Sequence, residues 1–286
     1  MVVVLARWLA HGVTSVDPGP DPFPTGKLVL IRVLEWGQLA ALVALVWFHV
    51  GRRLVRGQRL AFDGLFILAV LLLNFWDPLD NYLVFSFQYN AHFLNVGSWG
   101  GEIPGWQSPN GHRWVVPVAF VFGAYVWAFF VAARMGCAIL DKLRSRYPQW
   151  SAGRRFLPVF AANALLAAVA EITFLRSGAI ANIRPAPHLT AGQGQFTQWP
   201  LYNPLLFGAA FTAATALRWS VDERGHSFVE RGAEQLRMGP RLQTIIRFLA
   251  VSAYMQVSYI TLYFLPWNLL SLAHGPAPEL PSYFPT

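Results

Sequence analysis

Three carboxyl side chains stand inside or directly after strongly apolar segments of this chain. Asp77 and Asp80 follow the run Leu65–Leu73, with the helix-breaking Pro78 between them, and Glu171 stands alone among apolar residues. An ionisable group at the depth of the bilayer hydrocarbon costs several kcal/mol unless it is paired or hydrated. These three carboxyl groups are therefore our candidates for acid and base catalysis.

Each carboxyl group also has a structural interpretation. Asp77 and Asp80 can form a capping pair with Asn81 at a helix end, and Glu171 can pair with Arg176 one turn away. The spacing of the two aspartates also resembles half of a diphosphate–magnesium motif, but a second Asp-rich motif is missing from the sequence. We therefore predict no metal and no cofactor.

Composition and apolar blocks predict an all-α, polytopic integral membrane bundle. The chain of 286 residues is 55% hydrophobic and 13% charged, against about 25% charged residues in a soluble domain. The mean hydropathy is +0.40, and the apolar blocks have the length of about 20 residues that crosses a bilayer. The six predicted spans are Leu28–Val50, Leu60–Asn81, Trp114–Leu140, Phe156–Arg176, Leu205–Val221 and Ile245–Ala273.

Arginine-rich connections alternate with connections that carry few basic residues. The first, third and fifth connections are rich in arginine. The long loops Tyr82–Arg113 and Ser177–Pro204 each contain a single Lys or Arg residue, Arg113 and Arg184 respectively. The positive-inside rule then places both termini and both long loops outside the cell. The net charge of +8 is explained by this orientation, so we expect the lipid bilayer as a partner and no nucleic acid. We predict one transmembrane domain, residues 28–273, between an extended N-terminal tail, 1–27, and a Pro-rich C-terminal tail, 274–286.

Further polar residues of the spans fall mostly in the predicted outer half, as around a cavity open to water. Gln256, Tyr259 and Tyr263 share one helix face by their spacing, whereas Glu35 has Arg32 one turn away and can form a local ion pair instead. The candidate substrate-binding residues of the spans are Glu35, Asn74, Asn81, Gln256, Tyr259 and Tyr263.

The first long loop supplies the remaining candidates. Residues Tyr82–Asn95 carry an apolar and a polar stripe, which predicts a short interfacial helix. The Gly- and Trp-rich segment that follows suits a lid over an apolar substrate, and it equally suits an interface anchor. The candidate substrate-binding residues of this loop are His92, Asn95, Trp99, Glu102 and Trp106. We also predict an exposed amphipathic helix over Asp222–Arg241.

Four motifs in and beside this loop resemble the AveC-like spirocyclase family. They are Trp76-Asp-Pro-Leu-Asp-Asn-Tyr82, Tyr89-Asn90, Asn95-Val-Gly-Ser-Trp99-Gly and Ile103-Pro-Gly-Trp106. Members of that family are actinobacterial integral membrane proteins linked to spiroketal formation in macrolide polyketides such as avermectin. The near-exclusive use of Arg over Lys fits a GC-rich actinobacterial genome. The resemblance implies a bacterial cell-membrane cyclase that acts on a hydrophobic, polyketide-like small molecule, and it supplies no catalytic residues.

The residues themselves allow the chemistry that the resemblance implies. Spiroketal formation needs an acid that protonates a leaving hydroxyl and a carboxylate that steadies the oxocarbenium ion. A carboxyl group in apolar surroundings can stay protonated near neutrality, whereas a better hydrated one stays ionised. We therefore predict Glu171 as the buried acid and Asp77 or Asp80 as the ionised partner. The same pair could dehydrate the product or cyclise a terpenoid or lipid, and a non-enzymatic carrier of an apolar molecule is the other alternative.

Overall fold

Helices make up most of the computed structural model, which describes residues 1–236 and 238–286. The helices of the described residues are α1 (Val2–His11), α2 (Thr25–Val46), α3 (Arg52–Val55), α4 (Phe62–Leu73), α5 (Val118–Arg146), α6 (Ala152–Ser177), α7 (Asn203–Trp219), α8 (Pro240–Tyr259) and α9 (Leu265–Ser271). The strands are β1 (Phe87–Tyr89), β2 (Val96–Gly97), β3 (Val115–Val116), β4 (Ile180–Asn182), β5 (Thr190–Ala191) and β6 (Trp199–Pro200). The predicted all-α membrane bundle is confirmed.

Five continuous helical stretches of the described chain are long and apolar enough to cross a membrane. They correspond to all the predicted spans except the fifth, and two of them include a π-helical turn, at Trp47–Gly51 and at Ile260–Phe264. The five stretches are Thr25–Val55, Phe62–Asn81, Val118–Arg146, Ala152–Ser177 and Pro240–Ser271.

The predicted fifth span, Leu205–Val221, is the shorter helix α7 of 17 residues. Its first residues lie beside Glu171 in the interior, and Arg218 near its end binds Asp63 at the start of α4 through bonds of 3.0 and 3.1 Å. At about 1.5 Å per residue the helix is about 25 Å long. The loop before it ends inside the bundle, where the Trp199 indole donates to Glu171 at 2.9 Å and Asn203, the first residue of the helix, is buried.

The second span changes its helical form where the sequence predicts a break. The α-helix ends at Leu73, and Asn74–Asn81 continue as a 3-10 helix that contains Pro78. Proline lacks the N–H group that an α-helix needs, and it disfavours α geometry in the residue before it. The predicted unwinding is confirmed, and it places Asp77 and Asp80 on a tighter turn with different side-chain directions.

The helix predicted over Tyr82–Asn95 is wrong. The chain forms turns and the strand β1, which pairs antiparallel with β4 so that Phe87 lies opposite Asn182. The Asn81 side-chain oxygen accepts hydrogen bonds from the backbone N–H groups of Ser86 and Phe87, each at 2.9 Å. This local cap turns the chain away from helical geometry, and a partner strand nearly a hundred residues away supplies the ladder bonds.

The amphipathic helix predicted over Asp222–Arg241 is also wrong for the described residues. They form turns and one short 3-10 helix, Ala233–Gln235, before α8 begins. The Glu230 carboxylate accepts bonds from the backbone and hydroxyl of Ser227, at 2.7 and 2.6 Å, which closes a turn instead of a helix. Arg237, one of the basic residues of this connection, lies outside the described residues.

We call the end of the bundle that carries residues 82–117 and 178–202 the loop side, and the opposite end the basic side. The N-terminal segment, expected as an extended tail, contains α1 and packs on the loop side. The Trp8 indole donates a hydrogen bond to the Gly97 carbonyl at 3.0 Å and meets the Trp99 ring edge-on. Val4, Leu5 and Trp8 of α1 are partly buried against the loop aromatics, and this packing stabilises the helix.

The C-terminal segment is bound to the same surface. Ser282 donates a backbone bond to Asp21 at 2.7 Å, and the Ala91 N–H donates to the Tyr283 carbonyl at 2.8 Å. Phe284 is only 1% exposed. Both chain ends therefore lie on the loop side and cover it.

Close contact between α2 and α5 depends on a glycine. A Cβ at Gly123 would overlap the backbone carbonyl of Gln38, whereas a Cβ at Gly37 on α2 would meet nothing within 4 Å. We expect Gly123→Ala to lower the free energy of unfolding by about 1–3 kcal/mol, because backbone cannot move aside as a flexible side chain can. Gly37→Ala is the matched control and should leave stability unchanged or raise it slightly. Denaturation of both variants in detergent measures the difference, and equal stability would contradict close α2–α5 packing.

Candidate functional site

A cavity of about 130 Å³ lies between the loop-side halves of α5, α6 and α7. One water molecule needs only about 10–15 Å³ of such volume, so the cavity has room for part of an organic ligand. Its walls are mainly aromatic and aliphatic, which is typical of small-molecule sites. The aromatic residues among its walls are Phe87, Tyr89, Phe120, Tyr125, Trp127, Phe129, Phe174, Phe207, Phe211, Tyr263 and Trp267.

All three predicted catalytic carboxyl groups line this one cavity. Asp77 is 3% exposed, Asp80 is 2% exposed and Glu171 is 6% exposed. None of them forms an ion pair within residues 1–236 and 238–286. Buried carboxyl groups without a cation are costly, and three in one cavity are the strongest sign of function in this chain.

The carboxyl group of Asp77 is held by two phenols. Tyr89, at the end of β1, and Tyr125, on α5, both donate to Oδ1, at 2.9 and 3.2 Å. The Tyr125 hydroxyl also contacts the Tyr259 hydroxyl at 2.7 Å. Burial is the main cause that raises the pKa of Tyr89 well above its usual value, and the nearby carboxyl group of Asp77 raises it further. This phenol therefore keeps its proton and remains a hydrogen-bond donor.

The backbone carbonyl of Asp80 accepts two hydrogen bonds, whereas only one of its two carboxyl oxygens has a hydrogen-bond partner. Its carbonyl oxygen accepts bonds from the Trp267 indole and from Ser86, at 3.0 and 2.9 Å. Tyr263 donates to Oδ2 at 3.2 Å, whereas Oδ1 is buried without a hydrogen-bond partner. An unsatisfied buried acceptor at a cavity wall is an atom that a ligand hydroxyl can satisfy.

Glu171 lines the cavity from α6 and is approached by donors from the second long loop. The Trp199 indole donates to Oε2 at 2.9 Å, and the Asn182 amide lies 3.5 Å from Oε1. The side chain of Asn203, in the first turn of α7, also contacts this carboxyl group. Burial raises the pKa of the neighbouring Tyr202 to about 12, so that phenol stays neutral.

Among the predicted substrate-binding residues, Tyr263 lines the cavity, and Tyr259 is connected to Asp77 by two hydrogen bonds in series through Tyr125. The other polar residues of these two spans point elsewhere. Gln256 accepts a bond from the Trp76 indole, Asn74 donates to the Leu71 carbonyl, and Asn81 caps the turn before β1.

Glu35, His92 and Asn95 lie away from the cavity. Glu35 forms the local ion pair with Arg32, at 2.7 Å, and its other oxygen accepts the Leu94 N–H at 2.8 Å. His92 and Asn95 border a separate open groove of about 890 Å³ beside α2. Burial, together with Arg32, lowers the pKa of His92, and the Asn95 amide donates to the Ala91 carbonyl at 2.8 Å.

The predicted aromatic lid residues form a packed layer and do not line the cavity. Trp99 is buried and donates to the Phe75 carbonyl at 3.0 Å. Trp106 packs edge-on against Tyr82, and Glu102 pairs with His11 of α1 at 2.6 Å. These residues fix the loop on the bundle, and their predicted contact with substrate stays a prediction.

The expectation that one aspartate is better hydrated than Glu171 is wrong. All three carboxyl groups are buried to a similar degree, because β1, β4 and the C-terminal segment cover the helix end at which Asp77 and Asp80 lie. Hydrogen-bond partners distinguish the three groups, and depth does not.

Sequence reasoning gave no role to several residues that contact these carboxyl groups. Tyr125 lies in an apolar span, and its sequence context is that of an ordinary aromatic core residue. Asn182, Trp199 and Asn203 belong to the second loop and the start of α7, which the sequence marks only as unusually long and polar. The signal for Tyr125 was its hydroxyl, because a buried Tyr usually has a hydrogen-bond partner.

No group of three or more His, Cys, Asp or Glu side chains gathers as metal ligands in the part of the chain that the structure describes. The single Cys137 is buried and free. Residues 57–286 match the family model described as Spirocyclase AveC-like. No curated protein and no solved structure matches the chain significantly.

Proposed function

We propose that this chain, which belongs to the AveC-like spirocyclase family, is a membrane-embedded acid–base cyclase that forms spiroketals from a hydrophobic, polyketide-like dihydroxyketone. The family indicates a cyclase of this general kind. The observation that carries the specific proposal is the group of three buried carboxyl side chains, none paired with a cation in the described residues, around one aromatic cavity.

The reaction needs one proton donor and one proton acceptor at different points of the substrate. One hydroxyl adds to the ketone and gives a hemiketal. The acid then protonates the hemiketal hydroxyl, which leaves as water and produces an oxocarbenium ion. The second hydroxyl attacks this carbon and gives its proton to the base, so the balance is one spiroketal and one water. General acid–base catalysis of this kind contributes about 10²–10⁴-fold.

We assign the donor role to Glu171 and the acceptor role to Asp77. Two phenols donate to one oxygen of Asp77, and donors of this kind match a carboxylate that only accepts. Glu171 belongs to α6 and Asp77 to the 3-10 segment of the second span, and in the proposed reaction they act at different substrate oxygens. Asp80 orients a substrate hydroxyl through its unpartnered Oδ1.

The aromatic walls suit a cationic intermediate. Phe120, Phe207 and Trp267 line the cavity with Tyr263, and aromatic faces attract a cation, an effect that grows when water is excluded. The same walls exclude bulk water, which would otherwise capture the oxocarbenium ion and return the hemiketal. The site therefore favours ring closure over hydrolysis.

The test uses the purified chain in lipid nanodiscs with a synthetic long-chain dihydroxyketone. We expect acceleration of water loss, followed by mass spectrometry, and a single spiroketal stereoisomer by chiral chromatography, whereas empty nanodiscs should give the slow racemic background. Binding of the dihydroxyketone without any acceleration would reject the cyclase and favour a carrier. A racemic product at the background rate would reject the proposal as well.

A further inference from the structure

One wall of the cavity reaches the membrane-facing surface of the bundle. Trp127 and Ala128 on α5, and Leu166 and Ala170 on α6, line the cavity and are all partly exposed. The carboxyl-bearing walls on the other sides are buried. The cavity therefore has a side opening between α5 and α6.

Helical register connects this opening with the outer face of the two helices. Val131, one turn after Trp127, is 41% exposed, and Val169, directly before Ala170, is 56% exposed. Residues four apart lie on one helix face. The edge of the opening is thus continuous with the apolar surface that faces lipid.

Small side chains keep the opening from closing. Ala124 and Ala128 on α5 face the cavity together with Ala167 and Ala170 on α6. Further toward the basic side α7 packs closely on both helices. A Cβ on Gly208 of α7 would lie 2.8 Å from the Ala164 side chain of α6, and a Cβ on Gly136 of α5 would lie 2.5 Å from the Thr215 side chain of α7. The helices are held together below the cavity and leave a gap beside it.

The loop side of the cavity is more closely covered, and of the described loop residues that line it there only Phe87 is partly exposed. Gln88 and Asn90, which flank Tyr89, are 0% exposed. The Gln88 amide donates to the Pro285 carbonyl at 2.9 Å, and the Asn90 N–H donates to the Ala179 carbonyl at 2.9 Å. The β1–β4 pair and the C-terminal segment together cover this end.

The depth of the opening indicates what passes through it. From Val118 to Trp127 the helix rises by about 13 Å at about 1.5 Å per residue, and the hydrocarbon core is about 30 Å thick. The opening therefore faces acyl chains. We propose that the substrate is a long apolar molecule dissolved in the bilayer, which reaches the carboxyl groups sideways between α5 and α6. This proposal rests on the proposed function only in taking the same cavity as the substrate site.

A long-chain alcohol that carries an alkyl diazirine near its hydroxyl end tests this route in nanodiscs. On irradiation the diazirine loses N₂, and its carbon inserts into the O–H bond of a carboxyl group to form an ester. We expect esters on the peptides that contain Asp77, Asp80 and Glu171, detected by mass spectrometry. Ala170→Trp should lower this labelling about tenfold, which corresponds to about 1.4 kcal/mol. Val169→Trp, on the neighbouring lipid-facing position, is the control and should label as the wild type does.

Labelling of Ala170→Trp at the wild-type level would overturn the lateral route. If Ala170→Trp melts below the wild type, Leu166→Trp replaces it and should give the same loss, and normal labelling there would equally overturn the proposal. Labelling requires no turnover. A wild-type chain that is labelled and forms no spiroketal would therefore reject the proposed reaction and leave the lateral route supported.

Discussion

Replacement of Glu171 by Gln should lower the turnover of a dihydroxyketone by about 10²–10⁴-fold, the range that a general acid contributes. Gln has nearly the same shape, and its carbonyl oxygen can still accept the bond that Trp199 now donates at 2.9 Å. It has no proton to give to a leaving hydroxyl. We therefore expect the hemiketal to accumulate while substrate binding changes little. Single-turnover kinetics in nanodiscs measures both quantities.

The control for this variant is Glu223→Gln, a change of the same type at an exposed position on the basic side. It should turn over as the wild type does. The thermal midpoints of both variants must match the wild type, so that loss of turnover reports chemistry and not misfolding. Normal turnover of Glu171→Gln would remove Glu171 from the mechanism.

Replacement of Asp77 by Asn should lower turnover by about 10²-fold or more, because an amide cannot accept the proton of the attacking hydroxyl. The Asn carbonyl oxygen can still accept the bonds from Tyr89 and Tyr125, so the hydrogen-bonded arrangement of the wall is retained. With the base removed, the oxocarbenium ion should be lost by other routes, and we expect dehydrated or re-hydrated products in place of the spiroketal. Product profiles by liquid chromatography and mass spectrometry test this.

Asp17→Asn is the matched control, because Asp17 is exposed, does not line the cavity, and accepts a local bond from the Gly19 N–H at 2.6 Å. A combined variant, Glu171→Gln with Asp77→Asn, separates a shared mechanism from two independent effects. Groups that act on the same reaction are strongly non-additive. We expect the combined loss to be close to that of the more severe single variant, and fully multiplicative losses would contradict the acid–base pair.

Most of the bundle could be predicted from the sequence. Apolar blocks of bilayer length located the membrane helices to within a few residues. In lipid, a helix must form all the hydrogen bonds of its backbone within itself, so the helical state follows from the apolar block alone. Pro78 likewise marked the end of regular α-helix in the second span. One wrongly predicted element failed because its hydrogen bonds depend on distant residues. The strand at Phe87–Tyr89 needs Ile180–Asn182 as its partner, and no local pattern contains that information.

The candidate site divides in the same way. Asp77, Asp80 and Glu171 could be chosen from the sequence, because an ionisable residue in or beside an apolar segment is costly whichever way the helix is rotated about its axis. The rotation of each helix could not be chosen, and it turns Glu35 away from the cavity and Tyr125 toward Asp77. Loop residues were the least predictable, because the bonds from Asn182 and Trp199 to Glu171 depend on how the loop folds into the bundle.

The sequence by itself determined that this chain is a membrane helical bundle with three carboxyl groups that are costly to bury. Hydropathy and charge are properties of single residues, so they can be read without the fold. Only the tertiary structure decided that those groups face one aromatic cavity, that the C-terminal segment and the β1–β4 pair cover its loop side, and that small residues leave it open between α5 and α6. Those properties arise from the packing of helix faces against each other, and packing is a relation between residues far apart in the chain.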